Sequence, residues 1–374
     1  MRLLRRALLA VSASTLALAT GFATAQAASA PGWRIVATIR SSSSPDVSLQ
    51  GIAASGPRNA WAVGTTFSAL TATSLVVERW ASGRWRAVAP PAGFTNAPYG
   101  ELQASIVAAT SPANAWVFPF LHKGTTDAWF ALRWNGTAWT TFKLGGAQVL
   151  FAASASGPAD AWAFAQRPTQ KPYTVHYNGH RWKQISMPGV PYEASTVASN
   201  DIWGIGPTTK TLGEIPPNQV IIAMHYDGRA WQALPLPKLT PVNGTAWYPD
   251  NLVALSARDV WVTELLDRSG GVVPGPPGIT LLRWNGRHWS RVSENTTLSA
   301  SYSPASDGHG GLWLTWQTYD PQQSYLVHYS GGRWTQQVAP GTSTVIAALA
   351  SIPGTTSVWA AGSSGPGVIL KYGS

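Results

Sequence analysis

The chain has 374 residues, no Cys, 20 Trp and a formal net charge of +10. The lack of Cys excludes disulfides, thiol catalysis and zinc–thiolate sites, and a hydrophobic content of 45% excludes a disordered chain. Abundant Trp with only 11% charged residues favours many short, buried strands over long surface helices.

The N-terminal segment has the three parts of a secretory signal peptide. Arg2, Arg5 and Arg6 supply a positive start, a short apolar run follows, and small residues come next. We expect cleavage after Ala27, with Ala25 as the alternative. Removal of the three arginines lowers the formal net charge from +10 to +7.

This reading predicts a signal peptide at residues 1–27 and a single mature domain at residues 28–374. No later stretch reaches the roughly 18 consecutive apolar residues of a membrane-spanning helix. The sequence therefore predicts a secreted, extracellular protein without a transmembrane segment, with association to the cell envelope as an alternative.

The remaining sequence repeats one pattern seven times. A turn followed by Trp recurs at Trp61, Trp116, Trp162, Trp203, Trp261, Trp313 and Trp359. A second unit, in which an aromatic residue, a Gly-containing turn and a Trp follow one another, comes after six of these at 78–85, 133–139, 176–182, 225–231, 283–289 and 328–334. Repetition with a period of roughly 40 to 60 residues is typical of β-propeller blades.

Each repeat is predicted to form four antiparallel strands, which we name a to d. Strand a is small and apolar, as in 49–55, and strand b carries the recurring Trp, as in 60–64. Strand c ends in an aromatic residue, as in 75–80, and an Asn-Gly, Asp-Gly or Ser-Gly turn leads to strand d.

The two ends of the chain complement each other. The seventh repeat stops at Tyr372, Gly373 and Ser374 without a strand d, and the segment from Pro31 onwards matches that missing strand. Pairing of the two ends would leave no long strand edge exposed. The predicted fold is therefore all-β, a seven-bladed β-propeller of four-stranded antiparallel blades, closed by the N-terminal strand that completes the last blade.

Most aromatic and basic repeat positions are predicted to be structural. Seven Trp occupy the strand-b position, seven the strand-d position and three the strand-c position, and burial of their rings would hold the blades together. The residue before the strand-c aromatic is always basic: Arg79, Arg133, His176, His225, Arg283, His328 and Lys371. Only His122 and His309 lie outside these positions and the turns, so we predict no metal site, no catalytic triad and no cofactor.

The connections between strands differ on the two faces of the predicted ring. The a–b and c–d turns are short throughout, and we name the face that carries them the turn face. The b–c and d–a connections, among them the b–c connection at 119–128, vary widely in length, and we name the opposite face the variable face. Variable loops on a rigid scaffold are where binding sites usually lie.

Aromatic, carboxylate and amide side chains near the variable face suit a polar ligand such as a glycan. The predicted ligand-binding residues are Tyr99, Glu101, Asp127, Trp129, Tyr192, Glu193, Trp247, Tyr248, Asp250, Glu264, Trp316 and Tyr319.

Several repeats carry the local sequence of a known secreted propeller. The segments 60–64 (AWAVG), 134–139 (WNGTAW) and 225–231 (HYDGRAW) resemble the repeats of secreted bacterial BNR or Asp-box propellers, some relatives of which are sialidases. The resemblance implies a propeller of repeated blades. It implies no sialidase activity, because the catalytic residues of sialidases have no counterparts that can be placed here.

The sequence favours a non-catalytic, exported binding or interaction propeller that recognises a glycan, a cell-wall polymer or a protein through the variable face. One alternative is a glycan-cleaving enzyme that uses two carboxylates among Glu101, Glu193, Asp250 and Glu264. Another is a structural envelope protein that meets an anionic polymer or membrane through basic c–d turns. We expect a monomer and no nucleic-acid partner.

Overall fold

The computed structural model describes residues 32–41, 44, 46–66, 73–97, 102–123, 126–167, 171–212, 219–238, 247–266, 278–295, 302–319 and 322–373. Residues 32–374 group as one compact unit. The predicted signal peptide, residues 1–27, lies outside the described residues and stays a prediction. Within the described part of the chain, no helix has the length and apolar character needed to cross a membrane.

The described residues form thirty strands in seven antiparallel sheets. In chain order they are β1 (Trp33–Ile39), β2 (Val47–Gly56), β3 (Asn59–Thr66), β4 (Leu75–Ala81), β5 (Arg84–Ala87), β6 (Leu102–Gln103), β7 (Val107–Ser111), β8 (Asn114–Val117), β9 (Phe120–Lys123), β10 (Thr126–Trp134), β11 (Trp139–Leu144), β12 (Val149–Gly157), β13 (Asp160–Gln166), β14 (Pro172–Tyr177), β15 (Trp182–Ile185), β16 (Glu193–Ala198), β17 (Asp201–Pro207), β18 (Ile221–Tyr226), β19 (Trp231–Pro235), β20 (Trp247–Ser256), β21 (Asp259–Leu266), β22 (Ile279–Trp284), β23 (Trp289–Asn295), β24 (Tyr302–Ser306), β25 (Leu312–Tyr319), β26 (Gln322–Ser330), β27 (Arg333–Val338), β28 (Val345–Ser351), β29 (Val358–Ser363) and β30 (Gly367–Tyr372).

The sheets are the seven blades of a propeller, which confirms the predicted fold class. Blade 1 is β2–β5, blade 2 is β6–β11, blade 3 is β12–β15, blade 4 is β16–β19, blade 5 is β20–β23, blade 6 is β24–β27, and blade 7 is β28–β30 with β1. The innermost strand of each blade contacts those of both neighbours, and β28 contacts β2, so the blades form a closed ring.

The N-terminal strand completes the last blade, as the sequence predicts. β1 pairs antiparallel with β30, and Trp33 lies opposite Tyr372. The Trp33 ring also packs edge-on against Trp313 of blade 6, with 5.2 Å between ring centroids. Backbone pairing and aromatic burial thus join the two ends of the described chain.

Blade 2 departs from the four-strand pattern. The segment 119–128, expected as an irregular b–c connection, contains β9 and the start of β10, which pair as a hairpin. The Phe120 and Trp129 rings lie across this hairpin with centroids 5.1 Å apart. The short strand β6 pairs with β9, which extends the blade to six strands.

The strand-b Trp side chains form the contacts between blades. Trp61 is fully buried, and its ring lies 5.9 Å from the rings of Trp134 and Trp139 in blade 2. The equivalent Trp of every other blade is at most 4% exposed. The predicted packing role of these residues is confirmed.

The basic residue of strand c stacks on the strand-b Trp of its own blade. His176 lies directly across from Trp162 in the β13–β14 register, and the two rings stack at 4.1 Å. The same histidine hydrogen-bonds the Asp160 carboxylate in the a–b turn at 2.5 Å. Equivalent groups occur at His225 with Asp201, His328 with Asp307 and Arg283 with Asp259. The structural interpretation of this basic position is confirmed.

Candidate site at the mouth of the central channel

The inner strands of all seven blades surround a central channel. Its volume is about 540 Å³, and most of the wall is Ala, Gly and Ser. Among the described residues that line it, Glu193 alone carries a charge. Because neighbouring strands are antiparallel, the starts of the inner strands and the ends of the second strands lie on the variable face.

Glu193 begins β16, the inner strand of blade 4. Its side chain is exposed to the channel, and the inner strands of the blades surround that channel laterally. This enclosure, together with the negative charge of Asp250, raises the pKa of Glu193 to about 7. Near neutral pH its carboxyl therefore exists in both protonated and ionised forms.

Asp250 lies in the neighbouring inner strand, β20 of blade 5. The register with β21 shifts between Pro249 and Asn251, so Asp250 sits in a β-bulge, which redirects a side chain relative to regular pairing. Burial raises the pKa of Asp250 to about 6, and a hydrogen bond donated by the Asn251 amide opposes this shift. The bulge places a second carboxyl close enough to influence Glu193.

Glu264 lies near the variable-face end of β21, the second strand of blade 5. Its side chain is 3% exposed, and burial raises its pKa to about 8. Among the described residues, neither its carboxyl oxygen Oε2 nor the hydroxyl of Thr280, which lies directly across the β21–β22 pair, has a hydrogen-bond partner. Glu264 is therefore largely protonated at neutral pH.

Tyr192 precedes Glu193 at the same mouth. Its hydroxyl donates a hydrogen bond to Gln219 Oε1 at 2.9 Å, and its ring meets the channel-lining Phe151 edge-on at 5.7 Å. Burial raises the pKa of the Tyr192 hydroxyl, and the bond to Gln219 partly opposes the rise. Phe151 is not among the predicted ligand-binding residues, although it lies near the start of a predicted inner strand.

Other predicted ligand residues lie away from the channel. Asp127 and Trp129 are in β10 of blade 2, where Asp127 pairs with His122 and the Trp129 indole donates to the Gln148 carbonyl at 3.1 Å. Trp316 in β25 stacks on Tyr325 with 4.4 Å between centroids. These residues flank the outer strands of blades 2 and 6, so the structure does not bring them together with Glu193.

The remaining predicted residues divide into two groups. Tyr248 is half-buried in β20 and lies opposite Leu265. Trp247 belongs to β20 and Tyr319 to β25, but their side chains are not among the described parts of the chain. Tyr99 and Glu101 lie outside the described residues altogether.

Within the described ranges, no group of three or more acidic or His side chains is arranged to hold a metal ion.

No protein-family model matches the chain, and no curated protein matches it. Among solved structures it is similar to YCF48 from Cyanidioschyzon merolae, at 12% identity and a TM-score of 0.53, over 91% of this chain and 98% of that one. It is also similar to the β-propeller domain of Cps50 (Swd1) from Myceliophteria thermophila, at 11% identity and a TM-score of 0.54, over 92% of this chain and 100% of that domain. At such identities these similarities show the propeller fold alone.

Proposed function

We propose that this protein is a binding propeller that recognises a neutral, hydroxyl-rich ligand, such as a glycan, at the channel mouth on the variable face. The observation that carries the proposal is Glu193, a solvent-accessible carboxyl in an otherwise uncharged wall, whose pKa is raised to about 7. A carboxyl that is partly protonated at neutral pH both donates and accepts hydrogen bonds, as sugar hydroxyls do.

Neighbouring groups support the same ligand class. Tyr192 adds a hydroxyl and an aromatic face, and Asp250 adds a second carboxyl with a raised pKa. Small side chains along the channel wall leave room for a ligand to enter. Export of the protein and its kinship to Asp-box propellers remain parts of this proposal, and they are supported by the sequence features at 1–27 and at the Gly-containing turns.

The proposal predicts binding that weakens as the pH rises. When a glycan array has identified a ligand, its affinity should fall between about pH 6 and about pH 8.5, because Glu193 loses the proton that it donates. Glu193→Gln, which donates at every pH, should remove most of this dependence, and Glu193→Ala should weaken binding by about ten-fold at pH 6. Isothermal titration calorimetry measures both effects.

The matched control is Glu294→Gln, which removes a carboxylate on the outer strand β23 that pairs with Arg291 at 2.9 Å. This variant should bind like the wild type at each pH. If the Glu193 variants also bind like the wild type, or if a folded wild-type protein binds no glycan on the array, the proposal is wrong.

A second candidate function is glycan cleavage, and the interaction between Glu193 and Asp250 favours it. The two carboxyls have different raised pKa values, about 7 and about 6, as acid and base partners in hydrolases often do. Release of new reducing ends from the bound glycan would support cleavage, provided that Glu193→Gln and Asp250→Asn abolish the release and still bind. Binding without release supports the non-catalytic function.

A further inference from the structure

Seven exposed arginines lie on the turn face. Two come from a–b turns and five from c–d turns, and all seven side chains are exposed: Arg58, Arg258, Arg84, Arg181, Arg229, Arg287 and Arg333. They lie on blades 1, 3, 4, 5 and 6, so they are spread around the ring and not gathered at one point of it.

Few negative charges balance these arginines. All seven a–b turns, and the c–d turns of blades 1 to 6, belong to the described residues, so their charges can be compared directly. The aspartates of the a–b turns are each bonded to the basic residue of strand c in the same blade. In these turns Asp227 is the one exposed carboxylate, and Oδ1 of Asp227 accepts hydrogen bonds from its own turn.

The variable face has a different charge pattern among its described residues. Exposed basic side chains there include Arg40, Lys171, Lys210 and Lys238. They share the face with the carboxyls of the channel mouth, such as Glu193 and Asp250. The described a–b and c–d turns thus hold seven exposed arginines against one exposed carboxylate, whereas basic and acidic side chains are mixed on the variable face.

We propose that the turn face docks onto an anionic phospholipid bilayer. A linear polyanion crossing a ring can reach only some of the five arginine-bearing blades, whereas a flat surface can meet all of them together. Guanidinium groups bind phosphate with paired hydrogen bonds. Docking of this kind would leave the variable face, with its proposed ligand site, turned away from the bilayer.

The proposed attachment is electrostatic and peripheral. The exposed large apolar side chains among the described residues are Ile35, Val149, Val197, Val220, Val292 and Val338, and each lies outside the a–b and c–d turns. Little apolar surface is thus available on these turns for insertion into lipid. Binding should therefore be strong at low salt and weak at high salt.

The test compares three full-length proteins, which share the same residues 1–31: the wild type, a turn-face variant and a variable-face control. The turn-face variant is Arg181→Gln/Arg229→Gln/Arg287→Gln/Arg333→Gln. The control removes the same number of positive charges from the opposite face, as Arg40→Gln/Lys171→Gln/Lys210→Gln/Lys238→Gln. Thermal unfolding verifies that each is folded, and co-sedimentation with vesicles of phosphatidylglycerol or of phosphatidylcholine alone measures the partition coefficient.

The wild type and the control should prefer phosphatidylglycerol vesicles and lose that preference at high salt. Each basic residue contributes about five-fold to the partition coefficient near an anionic bilayer, so the turn-face variant, which lacks four of them, should bind about 600-fold more weakly. Equal loss in the control, unchanged binding of the turn-face variant, or wild-type binding to soluble polyphosphate but not to phosphatidylglycerol vesicles would overturn the proposal.

Discussion

At the scale of single residues, burial of the Glu264 carboxyl makes the stability of the protein depend on pH. A glutamate carboxyl has an ordinary pKa of 4.5, and burial raises the pKa of Glu264 to about 8. The folded protein therefore holds a proton that the unfolded chain releases between these values. Stability from this group is fully present below about pH 4.5 and is lost as the pH rises through about 8.

Glu264→Gln should remove that loss, because glutamine is neutral at every pH and similar in shape. We expect the free energy of unfolding of the variant to exceed that of the wild type at about pH 8.5, with a smaller or reversed difference at about pH 5.5. Urea unfolding at the two pH values measures the change. Glu78 and Glu193, whose pKa values are also raised, remain in both proteins, so the comparison isolates Glu264.

Glu294→Gln serves as the control on stability as well, since its ion pair with Arg291 lies on the outer strand. Its free energy of unfolding should follow the wild type at both pH values. Parallel pH curves for the wild type and Glu264→Gln would mean that Glu264 is not held protonated by the fold.

At the scale of the strands, the first two strands of a blade lie very close together where the AWAVG segment (60–64) ends. This close approach explains why its last residue, Gly64, is a glycine. A Cβ added at Gly64 in β3 would lie 1.8 Å from the Ser48 carbonyl oxygen of β2, and one at Gly362 would lie 1.9 Å from the Val345 oxygen. Both contacts are with backbone, which cannot rotate away. These positions therefore exclude any side chain.

Gly64→Ala should lower the free energy of unfolding by about 2–3 kcal/mol or more, because the two strands must move apart. The control is Gly56→Ala at the end of β2 in the same blade, where an added Cβ meets nothing within 4 Å. That variant should stay within about 1 kcal/mol of the wild type. Equal stability of the two variants, measured by urea unfolding, would contradict the strand packing described here.

Repetition made the strands predictable from the sequence. The same Trp, turn and aromatic residue recur in every blade. A strand whose bounds are unclear in one repeat can therefore be assigned by comparison with the other repeats. Among the described residues, the hairpin β9–β10 occurs in blade 2 and in no other blade, and the contact between Phe120 and Trp129 across it belongs to no repeating pattern in the sequence. The segment therefore looked like a loop.

The candidate site was predictable only in part, because it depends on local backbone geometry. Glu193, Asp250 and Glu264 were assigned to the variable face from the lengths of the connections. Their separate environments depend on the bulge at Asp250 and on the burial of Glu264 within β21, which the sequence does not show. The prediction grouped Trp129 and Trp316 with them, although Trp129 lies opposite Leu144 of the outer strand β11, and Trp316 stacks on Tyr325 of the third strand of blade 6.

At the scale of the whole molecule, closure of the ring separates the two faces for which different roles are proposed. Closure fixes seven inner strands around one channel, and this arrangement encloses Glu193 and raises its pKa. It also places the short turns with their exposed arginines on the face opposite the proposed ligand site. Both proposals therefore depend on the pairing of β1 with β30.

Chemical cross-linking of the two ends tests that pairing most directly, and the absence of native Cys makes it practicable. Arg34 and Lys371 lie directly opposite each other in the β1–β30 register. The double variant Arg34→Cys/Lys371→Cys should form an intramolecular cross-link on mild oxidation or with a short bismaleimide, and Arg34→Cys/Lys183→Cys, with its second site in blade 3, should not. Equal cross-linking of the two pairs, or none in the first while the protein remains folded, would contradict a ring closed by its N-terminal strand.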